Sequence, residues 1–315
     1  MKTILVTGGL GFIGSNICKL LLKKGYFVIS IDNNSRLNRK NKKLISKRIQ
    51  YIKADITKKN SLNKIKKKVD SIFHLAFVNG TKYFYEYPEI VIKVGIEGII
   101  NIIDFARKKK VKNFYLASSS EVYQTPDNIP TNEKETMKVP DPYNPRYSYG
   151  GTKILSEIIA INYGKSFLKK LIIFRPHNVY GPNMGNEHVI PEIIRKIKLS
   201  KRKSKNYINI QGDGKETRAF NYIDDFIEGI NTLINKSKGF NTYNIGDNKE
   251  ISINKLISKI MKLMDINLKI KTGKLKKGST LRRKPDIKKI NKLGYKPKVK
   301  LDEGLKKTIS WYLSN

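Results

Sequence analysis

Tyr149 and Lys153 stand four residues apart at the head of a run with apolar residues at Ile154, Leu155, Ile158 and Ile159. Residues at that spacing share one face of a helix, so the two side chains are expected to lie together. An ammonium beside a phenol favours the phenolate, which would let Tyr149 exchange protons near neutral pH. Upstream, the apolar run at 114–117 opens into Ser118-Ser119-Ser120-Glu121-Val122-Tyr123, which puts hydroxyls and a carboxylate just past a strand. Ligands of open α/β sheets bind at that edge. A serine hydroxyl there could hold the oxygen that Tyr149 deprotonates, so the trio suits removal of a hydroxyl proton while hydride leaves the same carbon.

The N-terminal stretch is built to hold a hydride acceptor. It begins with the β-prone Ile4, Leu5 and Val6 and passes through Gly8, Gly11 and Gly14 into a helical pattern from Ser15 to Lys24. Glycines so spaced allow a tight turn, close approach of the backbone to a pyrophosphate and close helix packing. The helix N-terminus adds N–H groups and a partial positive charge. A second apolar run, 27–31, ends in Asp32, whose carboxylate can accept from both hydroxyls of an adenosine ribose. Asp32 would repel a 2′-phosphate, so NAD is expected over NADP, a preference tempered by the nearby Arg36. Past a third strand at 49–53, Asp55 is positioned either to reach the adenine amino group or to cap a helix from about Ser61.

The chain has 315 residues, enough for one large domain or two intimately packed ones. No apolar run reaches the roughly 18 residues of a membrane span, and the first residues already read as a strand instead of a signal peptide, so a soluble cytoplasmic protein with no membrane partner is expected. Cys18 is the only cysteine, which excludes an internal disulfide and a cysteine metal cluster, and no metal site is expected. The net charge of +38 admits two readings, a polyanion partner or a lysine-rich habit of solvated faces. The basic residues fall in separate clusters at 39–48, 64–68, 107–110, 195–205 and 269–277, which favours the second, and no nucleic acid is expected. The field would still draw in an anionic substrate.

Further along, 69–77 reads as a buried strand in which His74 is a core histidine, followed by a helix at 90–110 with apolar residues at Ile92, Ile96, Ile99, Ile100, Ile103 and Ala106. Strand and helix alternate without internal repeats, which implies a parallel sheet with helices on both faces. A strand at 171–174 precedes Arg175-Pro176-His177-Asn178-Val179-Tyr180-Gly181-Pro182, and a helix is expected at 189–200, a strand at 208–211 and a turn at Gly212-Asp213-Gly214. Asp224 and Asp225 read as caps of the helix that follows them. Helices at 253–264 and 301–313 complete the chain, with Trp311 read as packing.

Taken together, Gly8-x-x-Gly11-x-x-Gly14, Asp32, Asp55, Ser119, Tyr149-x-x-x-Lys153, the 175–182 run, Gly212-Asp213-Gly214 with Arg218, and Arg283-Lys284-Pro285-Asp286 resemble an extended short-chain dehydrogenase/reductase of the nucleotide-sugar epimerase/dehydratase group. The resemblance covers nearly the whole length. It implies an α/β fold, a Rossmann-type doubly wound parallel sheet with a smaller C-terminal substrate-binding α/β domain. Residues 1–176, with 219–245 returning to them, would form the NAD-binding domain; 177–218 and 246–315 would bind a nucleotide-diphosphate sugar. A homodimer is usual in this group.

By the same resemblance Tyr149 would be the acid/base, Lys153 would tune it and bind the nicotinamide ribose, and Ser119 would bond the C4 oxygen, with Ser118 and Ser120 as secondary candidates. The cofactor would be held by Gly8, Gly11, Phe12, Ile13, Gly14, Asp32, Asn33, Asp55, Ile56, Leu75, Ala76, Tyr149 and Lys153. The substrate would meet Ser119, Ser120, Asn178, Arg218, Arg283 and Asp286, the two arginines suiting a diphosphate because a guanidinium can donate two parallel hydrogen bonds.

The group shares an opening oxidation to a 4-keto sugar and then diverges. A 4-epimerase returns hydride to the other face, a 4,6-dehydratase expels the C6 hydroxyl, and a decarboxylase releases carbon dioxide. Glu121 is the ambiguous residue: Ser119-Ser120-Glu121 resembles signatures of GDP-mannose dehydratases and UDP-glucuronate decarboxylases, whereas the Asp-Glu pair of dTDP-glucose dehydratases is missing. The 77–87 stretch matches none of these subgroups well, and Gly95 stands where many relatives carry Asn, both bearing on the sugar pocket. A 4-epimerase is favoured because it needs only the shared apparatus. The dehydratase and decarboxylase stay as alternatives, as does a non-catalytic NAD- or nucleotide-binding module, against which the complete Ser119, Tyr149 and Lys153 set argues.

Overall fold

A computed structural model describes residues 1–35 and 43–314. Arg36 and the basic residues Arg39, Lys40 and Lys42 lie outside the described residues. In chain order the first half comprises β1 (Thr3–Thr7), α1 (Phe12–Lys23), β2 (Phe27–Asp32), β3 (Ile49–Lys53), β4 (Ser71–His74), α2 (Thr81–Glu86), α3 (Pro88–Lys108), β5 (Asn113–Ala117) and α4 (Ser148–Gly164). The second half comprises β6 (Lys170–Pro176), β7 (Val179–Tyr180), α5 (Val189–Arg202), β8 (Tyr207–Asn209), β9 (Thr217–Ala219), β10 (Asn221–Tyr222) and α6 (Ile223–Lys236). It ends with β11 (Phe240–Ile245), β12 (Glu250–Ser252), α7 (Ile253–Leu263), β13 (Lys269–Lys271), β14 (Arg282–Arg283), α8 (Lys288–Asn291) and α9 (Leu301–Ser314).

Seven strands form one parallel sheet in the order β11-β6-β5-β4-β1-β2-β3. Alternate side chains of each strand enter different cores, as a period of two demands. Ile4, Val6, Phe73, Tyr115, Ile172 and Phe174 pack on the face of α1 and α6, with Ile17, Leu21, Phe226 and Leu233. Leu5, Ile72, Phe114, Leu116, Leu171 and Ile173 pack on the face of α3 and α4, with Ile99, Ile103, Ile159 and Ala160. Full burial of such a side chain contributes roughly 1.5–3 kcal/mol, so both layers are firmly held. The first core continues without a break into the second half through Ile193, Ile197, Leu256, Ile260, Leu305 and Ile309.

The chain winds from β1 to β3 on one side, then crosses to begin β4 on the other side of β1. The carboxyl end of β1 is therefore the topological switch point, where a crevice opens. The glycine turn occupies it. Gly8 has φ of +67°, and a Cβ there would lie 2.9 Å from the Ala76 backbone; a Cβ on Gly14 would lie 2.1 Å from the Gly8 carbonyl oxygen. Only glycine fits at either place.

Three local expectations are corrected. The strand expected at 69–77 is confined to 71–74, because the Thr7 hydroxyl accepts from the amides of Leu75 and Ala76, each at 3.0 Å, and steers the chain out of the ladder over the crevice. Asp55 does not cap the helical turn at 59–64: its carboxylate turns back to the Thr57 amide and hydroxyl at 3.0 and 2.8 Å. Asp225 stands in the first turn of α6 but makes no capping bond to it. Its buried carboxylate accepts from the amides of Lys298 and Val299 at 3.0 and 2.9 Å, pinning the approach to α9 against α6. His74 is a core residue as expected, and Trp311 meets Tyr312 edge to face at 4.8 Å.

Candidate active site

A cleft of about 930 Å³ runs along the carboxyl edge of the sheet. At one end it is lined by Gly8, Gly11, Phe12, Ile13, Gly14, Asp32, Asn33, Asp55, Ile56, Leu75 and Ala76. At the other end it is lined by Ser118, Ser119, Ser120, Glu121, Tyr149, Lys153, Asn178 and Arg283. Residues distant in sequence meet there because the ends of β1, β2, β4 and β5 lie side by side.

α4 carries Tyr149 and Lys153 on one face, as their spacing predicts. Lys153 is buried, and its ammonium donates to the Ala117 carbonyl at 2.7 Å. Burial pulls its pKa down to about 7, partly opposed by the Glu157 carboxylate one helical turn on. Tyr149 is equally enclosed, stacked on Phe84 at 4.7 Å and edge to face with Phe77 at 5.1 Å.

The three serines diverge. Ser118 donates to the Glu157 carboxylate, which is gripped by Arg175 at 2.9 and 2.6 Å, so Ser118 faces the protein interior. The Ser119 oxygen accepts from the Glu121 amide at 3.1 Å, a bond that leaves its own proton for another acceptor. Ser120 is buried at the cleft wall.

Glu121 is held from two sides. Arg146 donates to both carboxylate oxygens at 3.1 and 3.0 Å, and Arg283 to one of them at 2.7 Å. Burial alone would push this carboxyl up, but the two guanidiniums hold it well below the usual carboxylate range. Both buried histidines are neutral imidazoles at neutral pH. Burial lowers both His74 and His177 to about 3, and the Thr7 hydroxyl lies 2.9 Å from His74 Nδ1.

Asn178 adopts a left-handed φ of +43°, and its amide donates to the Ala219 carbonyl at 3.1 Å. Arg218 and Arg283 are register partners in β9 and β14. Arg283 reaches the cleft. Arg218 is instead spent on the carbonyls of Thr280, Thr217 and Leu281. The Asp286 carboxylate accepts from the Lys288 amide at 2.7 Å, and neither Arg218 nor Asp286 lines the cleft.

Residues 4–246 match the model of the NAD dependent epimerase/dehydratase family. The chain belongs to this family. It is 33% identical over 317 residues to a putative UDP-glucose 4-epimerase of Methanocaldococcus jannaschii, covering 99% of both chains. It is 32% identical over 323 residues to a UDP-N-acetyl-alpha-D-glucosaminuronate decarboxylase of Bacillus cytotoxicus, covering 99% of this chain and 98% of the other. A solved UDP-glucose 4-epimerase from Thermotoga maritima, in complex with UDP-glucose, superposes with a TM-score of 0.87 at 26% identity and 99% coverage of each chain.

This epimerase/dehydratase family member is thus an enzyme with NAD as its cofactor, and its residues fit the dinucleotide. The two glycine positions form a cradle that any Cβ would fill. The first turn of α1 has no acidic residue and no side-chain cap, leaving its amides for an anion. The Asp32 carboxylate is fixed at the cleft by the amides of Leu10 and Asn34 at 3.2 and 2.9 Å and retains acceptor positions for ribose hydroxyls.

Sequence reasoning missed Arg146, Glu157 and Thr7. Arg146 follows Asn144-Pro145, whose capping of a helical turn is a readable signal, but its ion pair with Glu121 spans 25 residues and has no local signature.

Proposed function

We propose that this enzyme is a nucleotide-diphosphate-sugar 4-epimerase working through a 4-keto sugar. The observation that carries this reading is the state of Glu121. A dehydratase needs a base there to take the C5 proton, whereas this carboxylate is ion-paired on both sides and, with its pKa held well below the usual range, is a poor proton acceptor. Epimerisation uses only Tyr149, Lys153 and Ser119.

In that reading the Tyr149 phenol oxygen takes the proton of the C4 hydroxyl while Ser119 donates to the same oxygen. Lys153, fixed on the Ala117 carbonyl, stabilises the phenolate. NAD, when bound, accepts the C4 hydride and returns it. The aromatic enclosure of Tyr149 keeps water from the proton in transit. Asn178, Ser120 and Arg283 are proposed to face the sugar diphosphate, with Arg218 and Asp286 bracing the strand and turn on either side of Arg283.

A UDP-sugar is the first substrate to test, since the relatives above carry UDP in their names. Residues 1–176 with 219–245 are proposed as the cofactor-binding unit, and 177–218 with 246–315 as the substrate-binding unit. A homodimer is supported by apolar residues on the outward faces of α3 and α4, where Ile92, Leu155 and Ile158 are exposed. Among the described residues no helix is long and apolar enough to cross a membrane, and a cytoplasmic setting fits this reading.

The test is incubation with UDP-, GDP-, dTDP- and CDP-sugars, followed by mass and C4 stereochemistry. Inversion at C4 without mass change is expected. Loss of water or of carbon dioxide as the main outcome would overturn the epimerase reading.

A further inference from the structure

Phe77, which opens the 77–87 stretch, and Gly95 meet in space. Phe77 lies just past β4, where the chain leaves the sheet, and Gly95 lies in α3 at the seam with α4. A Cβ on Gly95 would come within 2.6 Å of two atoms of the Phe77 ring and 2.2 Å of the Thr152 methyl group, so this packing requires glycine at position 95. The ring admitted there has its centroid 3.9 Å from the Lys153 ammonium, well inside the ~6 Å reach of a cation–π contact, and meets the Tyr149 ring at 87°. Tyr149 itself offers the ammonium a longer contact, 5.7 Å to its ring centroid.

We infer that Phe77 is a positioning residue for the Tyr149–Lys153 pair, its ring holding the Lys153 ammonium against the Ala117 carbonyl, and that Gly95 is the notch that lets the ring in. The inference rests on the function proposed above only for the roles of Tyr149 and Lys153. The contact is asymmetric in its chemistry. The ring shuts out water, which weakens the ammonium, yet presents its negative face to it, which strengthens it. The other groups acting on Lys153 are Tyr149 and Glu157 on its own helix and His74 on β4, of which His74 is neutral at neutral pH.

Two replacements of Phe77 therefore act in opposite directions. Phe77→Leu keeps the space dry but removes the π face, so Lys153 should lose its proton more readily, by about tenfold in affinity or about one pH unit. Phe77→Ala admits water and should move Lys153 back towards an ordinary lysine. Phe77→Tyr should behave as wild type.

The probe is trace acetic anhydride applied to the full chain between pH 5 and 10, with the extent of Lys153 acetylation read from peptide mass. The midpoint should fall in Phe77→Leu, rise in Phe77→Ala and stay in Phe77→Tyr. The pH profile of kcat/KM should move with it. Gly95→Ala should shift the midpoint more when Phe77 is present than in the Phe77→Ala background, where only its contact with the Thr152 methyl group remains. An unaltered midpoint in Phe77→Leu, or an equal effect of Gly95→Ala in both backgrounds, would overturn the inference. If Gly95→Ala does not fold, the Leu and Tyr variants decide alone. A fully active Tyr149→Phe enzyme would sink the proposed chemistry instead, without touching the labelling result.

Discussion

Glu121 and Arg283 form a 2.7 Å ion pair across 162 residues of chain, joining the turn after β5 to β14. The pair ties the two halves together at the cleft. It also turns the most ambiguous residue of the sequence into a fixed charge.

Glu121→Gln is expected to keep most of the epimerase turnover, because no step proposed here uses that carboxylate. C5 exchange with deuterated solvent should stay at background in both wild type and variant. Solvent exchange at C5 that vanishes in the variant would return Glu121 to the chemistry.

The same pair sets an acid limit. The Glu121 pKa is depressed in the folded state, so its stabilisation is complete above the ordinary carboxyl pKa of about 4.5 and drains away as pH falls below it. Urea midpoints measured from pH 7 to pH 3 should therefore fall more steeply in wild type than in Glu121→Gln. The variant should start lower at pH 7, since two part-buried guanidiniums lose their partner, a loss on the order of 1–3 kcal/mol.

His74 and His177 act in a higher window. Both have folded pKa values near 3 against about 6.5 unfolded, so the folded state binds fewer protons. Their contribution is whole above pH 6.5 and is lost as pH falls from there towards 3. His74→Gln, by urea denaturation, should flatten the loss between pH 6.5 and 5.

Tyr149→Phe removes only the phenol oxygen from a ring packed between Phe84 and Phe77, so folding and NAD binding should survive. Turnover should drop by about 10²–10⁴. Rates near wild type would take Tyr149 out of the mechanism.

Asp32→Ala should leave the sheet intact and weaken NAD binding at least tenfold, measured by calorimetry, as two charge-assisted hydrogen bonds are lost. An unchanged Kd would mean the adenosine ribose is held elsewhere.

The parallel sheet and the dinucleotide turn were legible because their causes are local. Ile4, Leu5 and Val6 followed by glycines at 8, 11 and 14 can form few other structures, and Tyr149 and Lys153 needed only helical periodicity to be brought together. Strand ends were less legible: β4 stops at His74 because of a hydroxyl on Thr7, 67 residues earlier in the chain. The sequence alone thus determined the dinucleotide turn and the proposed acid/base pair, written in short-range spacing, and the family, through a resemblance that covers nearly the whole length. Only the tertiary structure decided that Glu121 is clamped by Arg146 and Arg283, that Ser118 belongs to Glu157, that Arg218 stands back from the cleft, and that Phe77 fits the space above Gly95. These are contacts between side chains brought together by the winding of the sheet, and a charge or a ring in a sequence does not specify the distant partner that folding will set against it.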